Sequence, residues 1–210
     1  MNPKIKNALE WTYCILIAVV IALAVKYFIG TPTVVKQTSM NNTLSEGQRL
    51  WLNRWIRTVK GEYKVGDIIT FEAPSVTYPS LNQINYSKPV AIYYDNHKGF
   101  LNKFVYYVLE TTKQSYIKRV IGVAGDHIKI EDGKVYRNGE LLDEPYLQEG
   151  ISTYGKTYSD IIVPKGTVFA MGDNREHSTD CRDFGCIPVE KIESRVAFRF
   201  WPLNKFGKIK

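Results

Sequence analysis

Apolar and polar positions follow two different rhythms along the chain. Trp11 to Val25 carries no charge, and Tyr27-Phe28-Ile29 carries the apolar run past Lys26. A lysine near a helix end can lift its amine to the headgroups, so Trp11 to Ile29 is long enough to cross a bilayer as a helix. Residues 1–30 therefore read as a membrane anchor and 31–210 as a separate β-rich body. A cleaved secretory signal competes with the anchor, because Ala22-Leu23-Ala24 has the small-x-small form of a cleavage site. The apolar run continues beyond that site, which favours an anchor that stays attached.

Downstream the period shortens towards two. Val34-Val35 leads out of Thr31-Pro32, and Arg49 to Ile56 alternates as a strand with Leu50, Leu52 and Arg54 on one side. Val65-Gly66-Asp67 reads as a turn and Ile68 to Phe71 as a buried strand. His127 to Ile130 and Lys134 to Arg137 are joined by Asp132-Gly133, and Asn138-Gly139 follows. Both dipeptides are strong hairpin signals, because a type I′ turn needs φ > 0 at its two central positions. Ile161 to Val163, Thr167 to Met171 and Arg195 to Trp201 complete the strands. Gly172 stands where the backbone must approach something closely or take positive φ.

The stretch from about 73 to 115 breaks the pattern and reads as an insertion. Pro74, Pro79 and Pro89 mark loop, Val90 to Tyr94 suits a strand, and Phe100, Phe104, Tyr107 and Val108 recur at helical spacing. Three roles are open for that helix: packing on the body, touching a membrane, or capping a groove.

Composition adds less. The chain has 210 residues, 44% apolar and 13% aromatic with 14 Tyr, which suits one sheet-rich body. A net charge of +7 comes without any nucleic-acid motif, so attraction to anionic lipid is the economical reading and no nucleic-acid partner is expected. His97, His127 and His177 are scattered and no C-x-x-C pair exists, so no metal or other cofactor is expected. Cys14 lies in the apolar run. Cys181 and Cys186 are disulfide candidates in an oxidising compartment, although so short a loop strains the geometry.

The candidate chemistry sits in two separated stretches. Ser39 lies in Gln37-Thr38-Ser39-Met40-Asn41-Asn42-Thr43-Leu44, and Lys118 in Tyr116-Ile117-Lys118-Arg119-Val120-Ile121-Gly122. A serine hydroxyl needs an adjacent base before it attacks at neutral pH. Lysine serves only as the neutral amine, so its pKa must fall from about 10.4 towards 7–8, a differential of about 4 kcal/mol. Desolvation among Tyr116, Ile117, Val120 and Ile121 could supply it. Taken alone, a Ser-Met pair belongs as readily to a loop and a Lys-Arg pair to a solvated face.

In order along the chain, the apolar run, the Ser-Met segment, Arg49-Leu50-Trp51-Leu52-Asn53-Arg54, the stretch YIKRVIGVAGD (116–126) and the stretch MGDNREHSTDCRDFG (171–185) resemble the type I signal peptidases. These are membrane-anchored serine proteases with a Ser–Lys dyad and a β-sheet catalytic body. The resemblance covers the chain outside the insertion, and Lys118 points to the bacterial type. It implies a mainly β fold with one N-terminal transmembrane helix. It also implies cleavage of signal peptides from exported preproteins after small residues, commonly Ala-x-Ala.

The family's roles then fall on numbered positions. Ser39 takes the nucleophile's place and Lys118 the general base's. Ser178 would orient the lysine amine, Asp180 would pair with Arg182, and Asp173 with Arg119. The Ser39 N–H would donate to the oxyanion, with the Gln37 side chain as a second donor or simply facing solvent. Val35, Met40, Leu44, Tyr116 and Ile117 would line the substrate subsite. Two departures stand out: Asn42 where the family has proline, which removes a fixed φ, and Gln37 where it has serine or glycine. Lys4 and Lys6 against Glu10, and Lys26 and Lys36 beyond the run, leave little charge bias. The resemblance, rather than charge, implies a single-pass protein of the cell membrane with a cytoplasmic N-terminus and an extracytoplasmic body. An inactive anchored β scaffold would share this pattern. A repressor-type self-cleaving protease would show a DNA-binding domain ahead of Ser39, where this chain has the apolar run.

Overall fold

The computed structural model describes residues 3–95 and 98–209. His97 and Lys210, the latter the last residue of the basic tail, lie outside the described residues. Helix α1 (Pro3–Ala24) continues into a π-helical turn at Val25–Ile29. The run Lys4–Ile29 spans 26 residues with mean hydropathy 2.3 in its most apolar window, none of which is buried. At about 1.5 Å per residue it is ~39 Å long, enough to cross a hydrocarbon core of ~30 Å. From Trp11 on the helix is apolar on every side, and among the described residues none of its most apolar window is buried, as a lipid-facing helix requires.

Among the described residues the body has eleven strands. β1 (Gly30–Val34) and β2 (Arg49–Asn53) flank the Ser39 segment. α2 (Trp55–Thr58) and β3 (Ile68–Glu72) follow. The insertion holds α3 (Phe100–Phe104) and a π-helical turn at Val105–Leu109, and leads into β4 (Ser115–Val123). Next come β5 (His127–Glu131), β6 (Lys134–Arg137), β7 (Glu140–Leu141) and β8 (Asp160–Ile162). The last group is β9 (Thr167–Met171), α4 (Cys181–Phe184), β10 (Ile187–Pro188) and β11 (Ile192–Trp201). A seven-stranded antiparallel sheet runs β1-β2-β11-β3-β4-β9-β10, and a second sheet runs β7-β6-β5-β8. The fold is mainly β with one long apolar N-terminal helix.

Local chemistry explains the hairpins. Asp132 and Gly133 take φ 50 and 75, and Asn138 and Gly139 take φ 55 and 83, so each pair holds the two left-handed positions its turn demands. Two departures from the sequence reading have physical causes. The β2 strand stops at Asn53 because the Asn53 side chain accepts from Trp55 N at 2.9 Å and starts α2; Arg54 then turns in to meet the insertion. Val90 to Tyr94 does not form a strand. Only Val90 makes a bridge, to Cys186, while Tyr93 spends its hydroxyl on the Glu72 carbonyl.

The core has two parts. The larger packs Ile69, Phe71, Val120, Phe169 and Met171 against Ile128, Val163 and Phe184 between the sheets. The smaller gathers Val35, Met40, Leu44, Leu50, Leu52 and Ile68, with Ile117 against it. Each such side chain contributes about 1.5–3 kcal/mol on burial, so the smaller cluster fixes the turn that carries Ser39 from below.

Candidate active site

Ser39 lies in a tight turn closed by Asn41 N donating to Thr38 O (2.9 Å) and Leu44 N to Met40 O (2.7 Å). Met40 and Leu44 anchor the turn by pointing into the core, both fully buried. From the other side, Asn174 N donates to Ser39 O at 3.0 Å and Asn174 Nδ2 to Thr38 O at 3.1 Å. Lys118 enters from β4, where it pairs with Ile69 of β3. Its Nζ donates to Ser39 Oγ at 2.6 Å, across 79 residues of sequence, and its side chain is almost fully buried.

Burial is the dominant influence on this amine and pulls its pKa down from 10.5 to about 8. Asp180 and Asp173 pull the other way, and Arg182 acts with burial. The carboxylates are themselves engaged. Asp180 accepts from Arg182 Nε and Nη2, both at 2.9 Å, and caps α4 through Arg182 N. Arg182 holds Asp180 below the usual carboxylate range despite complete burial. Asp173 accepts from Arg119 Nε at 3.0 Å and Nη2 at 2.8 Å. Bidentate pairing of this kind is both strong and directional, so each aspartate is committed to an arginine rather than to the lysine.

Gly172 is where the backbones meet. A Cβ there would fall 2.2 Å from Ser178 Oγ and 2.5 Å from Ser39 O, distances no side chain can occupy. Ser178 itself is buried beside the Asp180 carboxylate, which its hydroxyl helps to keep charged, but its Oγ makes no hydrogen bond of good geometry among the described residues. Lys118 makes no bond to it; among the described residues the amine bonds Ser39 alone. The Ser39 N–H likewise has no acceptor among the described residues. Gln37 is half-buried and lines the small cavity of about 180 Å³ beside Ser39, together with Thr38, Tyr116, Lys118, His177 and Thr179.

A longer groove of about 650 Å³ runs from that cavity towards the end of the apolar helix. Its walls are the outer edge of β1 with Val35 to Gln37 on one side and Ser115 to Ile117 on the other; Leu50, Leu52 and Thr70 form the floor. Both walls offer unpaired backbone. β1 pairs only with β2, and β4 meets β9 only from Arg119 onward. Val35, Tyr116 and Ile117 thus face the groove. Met40 and Leu44 do not: holding the turn takes both side chains into the core beneath it.

Cys181 and Cys186 are both buried as free thiols, not a disulfide. Cys181 Sγ instead accepts from Ala170 N at 3.1 Å, which turns it towards β9. Several supporting residues had no role assigned from sequence. Thr43 Oγ1 donates to Asp173 Oδ2 at 2.5 Å. The Tyr146 ring lies 3.9 Å below the Arg119 guanidinium, and Glu144 forms an ion pair with Arg175. Thr43 and Asn174 sit inside the informative stretches, so proximity to Ser39 and Asp173 was the available signal. Glu144 and Tyr146 lie in a variable loop and gave none.

A family model described as signal peptidase, peptidase S26, matches residues 8–201. A signal peptidase I of Bacillus licheniformis is 33% identical over 213 residues, covering 97% of this chain and 94% of the relative. Signal peptidase I T of Bacillus subtilis is 32% identical over 218 residues, covering 100% and 93%. A crystal structure of a signal peptidase I from Enterococcus faecalis V583 aligns with 64% of this chain and 96% of its own, at 22% identity and a TM-score of 0.41.

Proposed function

The chain belongs to the signal peptidase family, peptidase S26, and we propose that it is a membrane-bound serine endopeptidase removing signal peptides from exported preproteins through a Ser39–Lys118 dyad. The observation that carries this reading is the 2.6 Å contact between a buried, pKa-depressed amine and a serine hydroxyl at the end of an open groove. As the neutral base, Lys118 takes the Ser39 proton while Oγ attacks the scissile carbonyl carbon. The oxyanion forms against the Ser39 N–H, with the Gln37 amide as second donor. Collapse breaks the C–N bond, the leaving amine takes the proton from the Lys118 ammonium, and an acyl ester remains on Ser39. Lys118 then deprotonates water, which releases the acid and regenerates the hydroxyl.

Ser178 is assigned as the residue that orients the amine, a role for a buried hydroxyl that its neighbours satisfy only with poor geometry. Arg119 with Asp173, and Arg182 with Asp180, hold the walls. The substrate lies extended in the groove, adding its backbone to the free edges of β1 and β4. The cavity beside Ser39 is small, about 180 Å³, in keeping with a small side chain next to the scissile bond and so with Ala-x-Ala selectivity. Lys4–Ile29 is the single span, the N-terminus is cytoplasmic, and 31–210 is the extracytoplasmic catalytic domain with its insertion at about 73–115.

Detergent-solubilised protein incubated with a preprotein bearing an Ala-x-Ala site tests the reading. Cleavage by wild type, and none by Ser39→Ala or Lys118→Ala, is the expected result. Equal cleavage by Lys118→Ala would overturn the dyad, and no cleavage by any form would favour an inactive scaffold. Gln37→Ala should lower kcat with little change in KM, since an oxyanion donor acts in the transition state; an unchanged kcat removes Gln37 from the role.

A further inference from the structure

Among the described residues, the helical segment 100–109 is fastened chiefly at one end. Its C-terminal end is held by the last turn of the apolar helix: Lys26 Nζ donates to Val108 O at 3.2 Å and Leu109 O at 3.0 Å. The same amine lies 3.3 Å from Glu110 Oε2, and Arg54 Nη2 meets both oxygens of that carboxylate at 2.8 and 2.9 Å. Arg57 and Thr58 bind the carbonyls of Tyr27 and Phe28. The apolar helix, α2 and the end of the insertion are thus joined at the level of Lys26. Further support comes from Lys113, which lies over the rings of Tyr106 and Tyr107.

Among the described residues, little protein surrounds the other end. Phe100 is 85% exposed and Leu101 71% exposed, and Phe100 stacks on Phe104 with centroids 6.4 Å apart. Lys98 and Lys103, both exposed, flank these apolar groups. Large apolar side chains bare to water are costly to maintain. Aromatic and leucine side chains next to lysines match the interfacial layer of a bilayer, where rings sit at headgroup depth and amines meet lipid phosphate.

We propose that residues 98–104 dip into the bilayer interface beside the span, making a second membrane contact held in place by Lys26, Glu110 and Arg54. This rests on the reading that Lys4–Ile29 crosses the membrane. Continuity identifies the occupant as lipid: the segment is tied to the span at the turn where the span ends, so its exposed end stays within about 15 Å of that level, the length of ten helical residues. Leu109 and Glu110 also line the groove, so the contact would set the groove mouth at the height where a substrate's apolar segment leaves the lipid.

The full chain, reconstituted in vesicles containing anionic lipid, provides the test. An environment-sensitive NBD label goes on Cys14, the one exposed native cysteine among the described residues, to report the span. In a Cys14→Ser background, the label goes on Leu101→Cys or on Leu81→Cys, a position in the insertion that is 88% exposed. The expected result is quenching by nitroxide-labelled lipid and loss of iodide quenching at positions 14 and 101, with the reverse at 81. A lipid signal at 14 with an aqueous signal at 101 overturns this inference and leaves the span intact. An aqueous signal at 14 overturns the span and the inference with it. Lipid quenching at 81 as well as 101 would also overturn it, because the whole insertion would then lie on the surface. Matching thermal melts for the labelled variants and wild type establish that each is folded.

Discussion

Thr43 Oγ1 donates to Asp173 Oδ2 at 2.5 Å, across 130 residues of sequence, and so ties the Ser39 turn to the pair that Asp173 forms with Arg119. The contact joins two things the chemistry needs together: the position of the nucleophile and the orientation of a carboxylate near the lysine. Thr43→Val keeps the shape and removes the donor. Losing one hydrogen bond to a buried carboxylate costs about 1.5–3 kcal/mol, and the expected outcome is a lower melting temperature with a reduced kcat. Thr43→Ser, which keeps the hydroxyl, should recover most of both. A Val variant with wild-type kcat would show that the turn holds its place without this tie.

Lys118 makes the pH dependence predictable. Its amine titrates at about 8 in the folded protein and near 10.5 when unfolded, so between those values the unfolded chain binds a proton that the folded chain does not. Stability contributed by this group therefore rises with pH across that window and is at its lowest below pH 8. Lys118→Met should gain in stability relative to wild type at pH 6, and the gain should shrink by about 3 kcal/mol by pH 11. Urea denaturation at both values checks it. Activity should follow the same amine, with kcat/KM climbing on an ascending limb near pH 8.

Asn42 carries the third prediction, set against the proline that the resemblance implies at this position. Asn42 takes φ 85, whereas a proline ring holds φ near −65°. Its N–H makes no backbone bond among the described residues, so the ring's cost would come from the dihedral alone. Asn42→Pro should therefore lower stability by about 1–3 kcal/mol and displace Ser39. Asn42→Gly, free to adopt positive φ, should stay near wild type. If the proline variant were as active and stable as wild type, the turn would have to relax readily to a φ near −65°.

These residues also mark the limit of what the sequence could reveal. The hairpins were readable because Asp132-Gly133 and Asn138-Gly139 determine their own turns from two adjacent residues. Ser39 and Lys118 were readable through the resemblance that their stretches carry, not through their chemistry alone, and the 2.6 Å between them depends on β3 and β4 pairing and on a packed floor of Leu50 and Leu52. Burial of Met40 and Leu44 was not readable, since an apolar residue beside a nucleophile can face the substrate or the core. Nor was the meeting of Lys26, Arg54 and Glu110, whose charges come from three elements. An insertion lacking period 2 gives no register from which such a contact could be inferred.

Gly172→Ala should separate geometry from stability more sharply than any ionisable substitution. The added methyl would sit 2.2 Å from Ser178 Oγ and 2.5 Å from Ser39 O, so something must move. Rotating the Ser178 hydroxyl relieves only part of this, because Ser178 Cβ would lie at 2.6 Å, and the Ser39 carbonyl is backbone already held by Asn174 N at 3.0 Å. Overpacking of this kind costs about 1–3 kcal/mol, which this chain meets by shifting the turn rather than unfolding. The shift lengthens the path from Lys118 Nζ to Ser39 Oγ, and a misplacement of about 1 Å is worth ~10²-fold in rate. The expected result is a folded protein, with a melt only a few degrees lower, whose kcat falls far more than its KM rises. A variant that keeps kcat while losing stability would show the turn stays put and the strain goes into the β9 end instead.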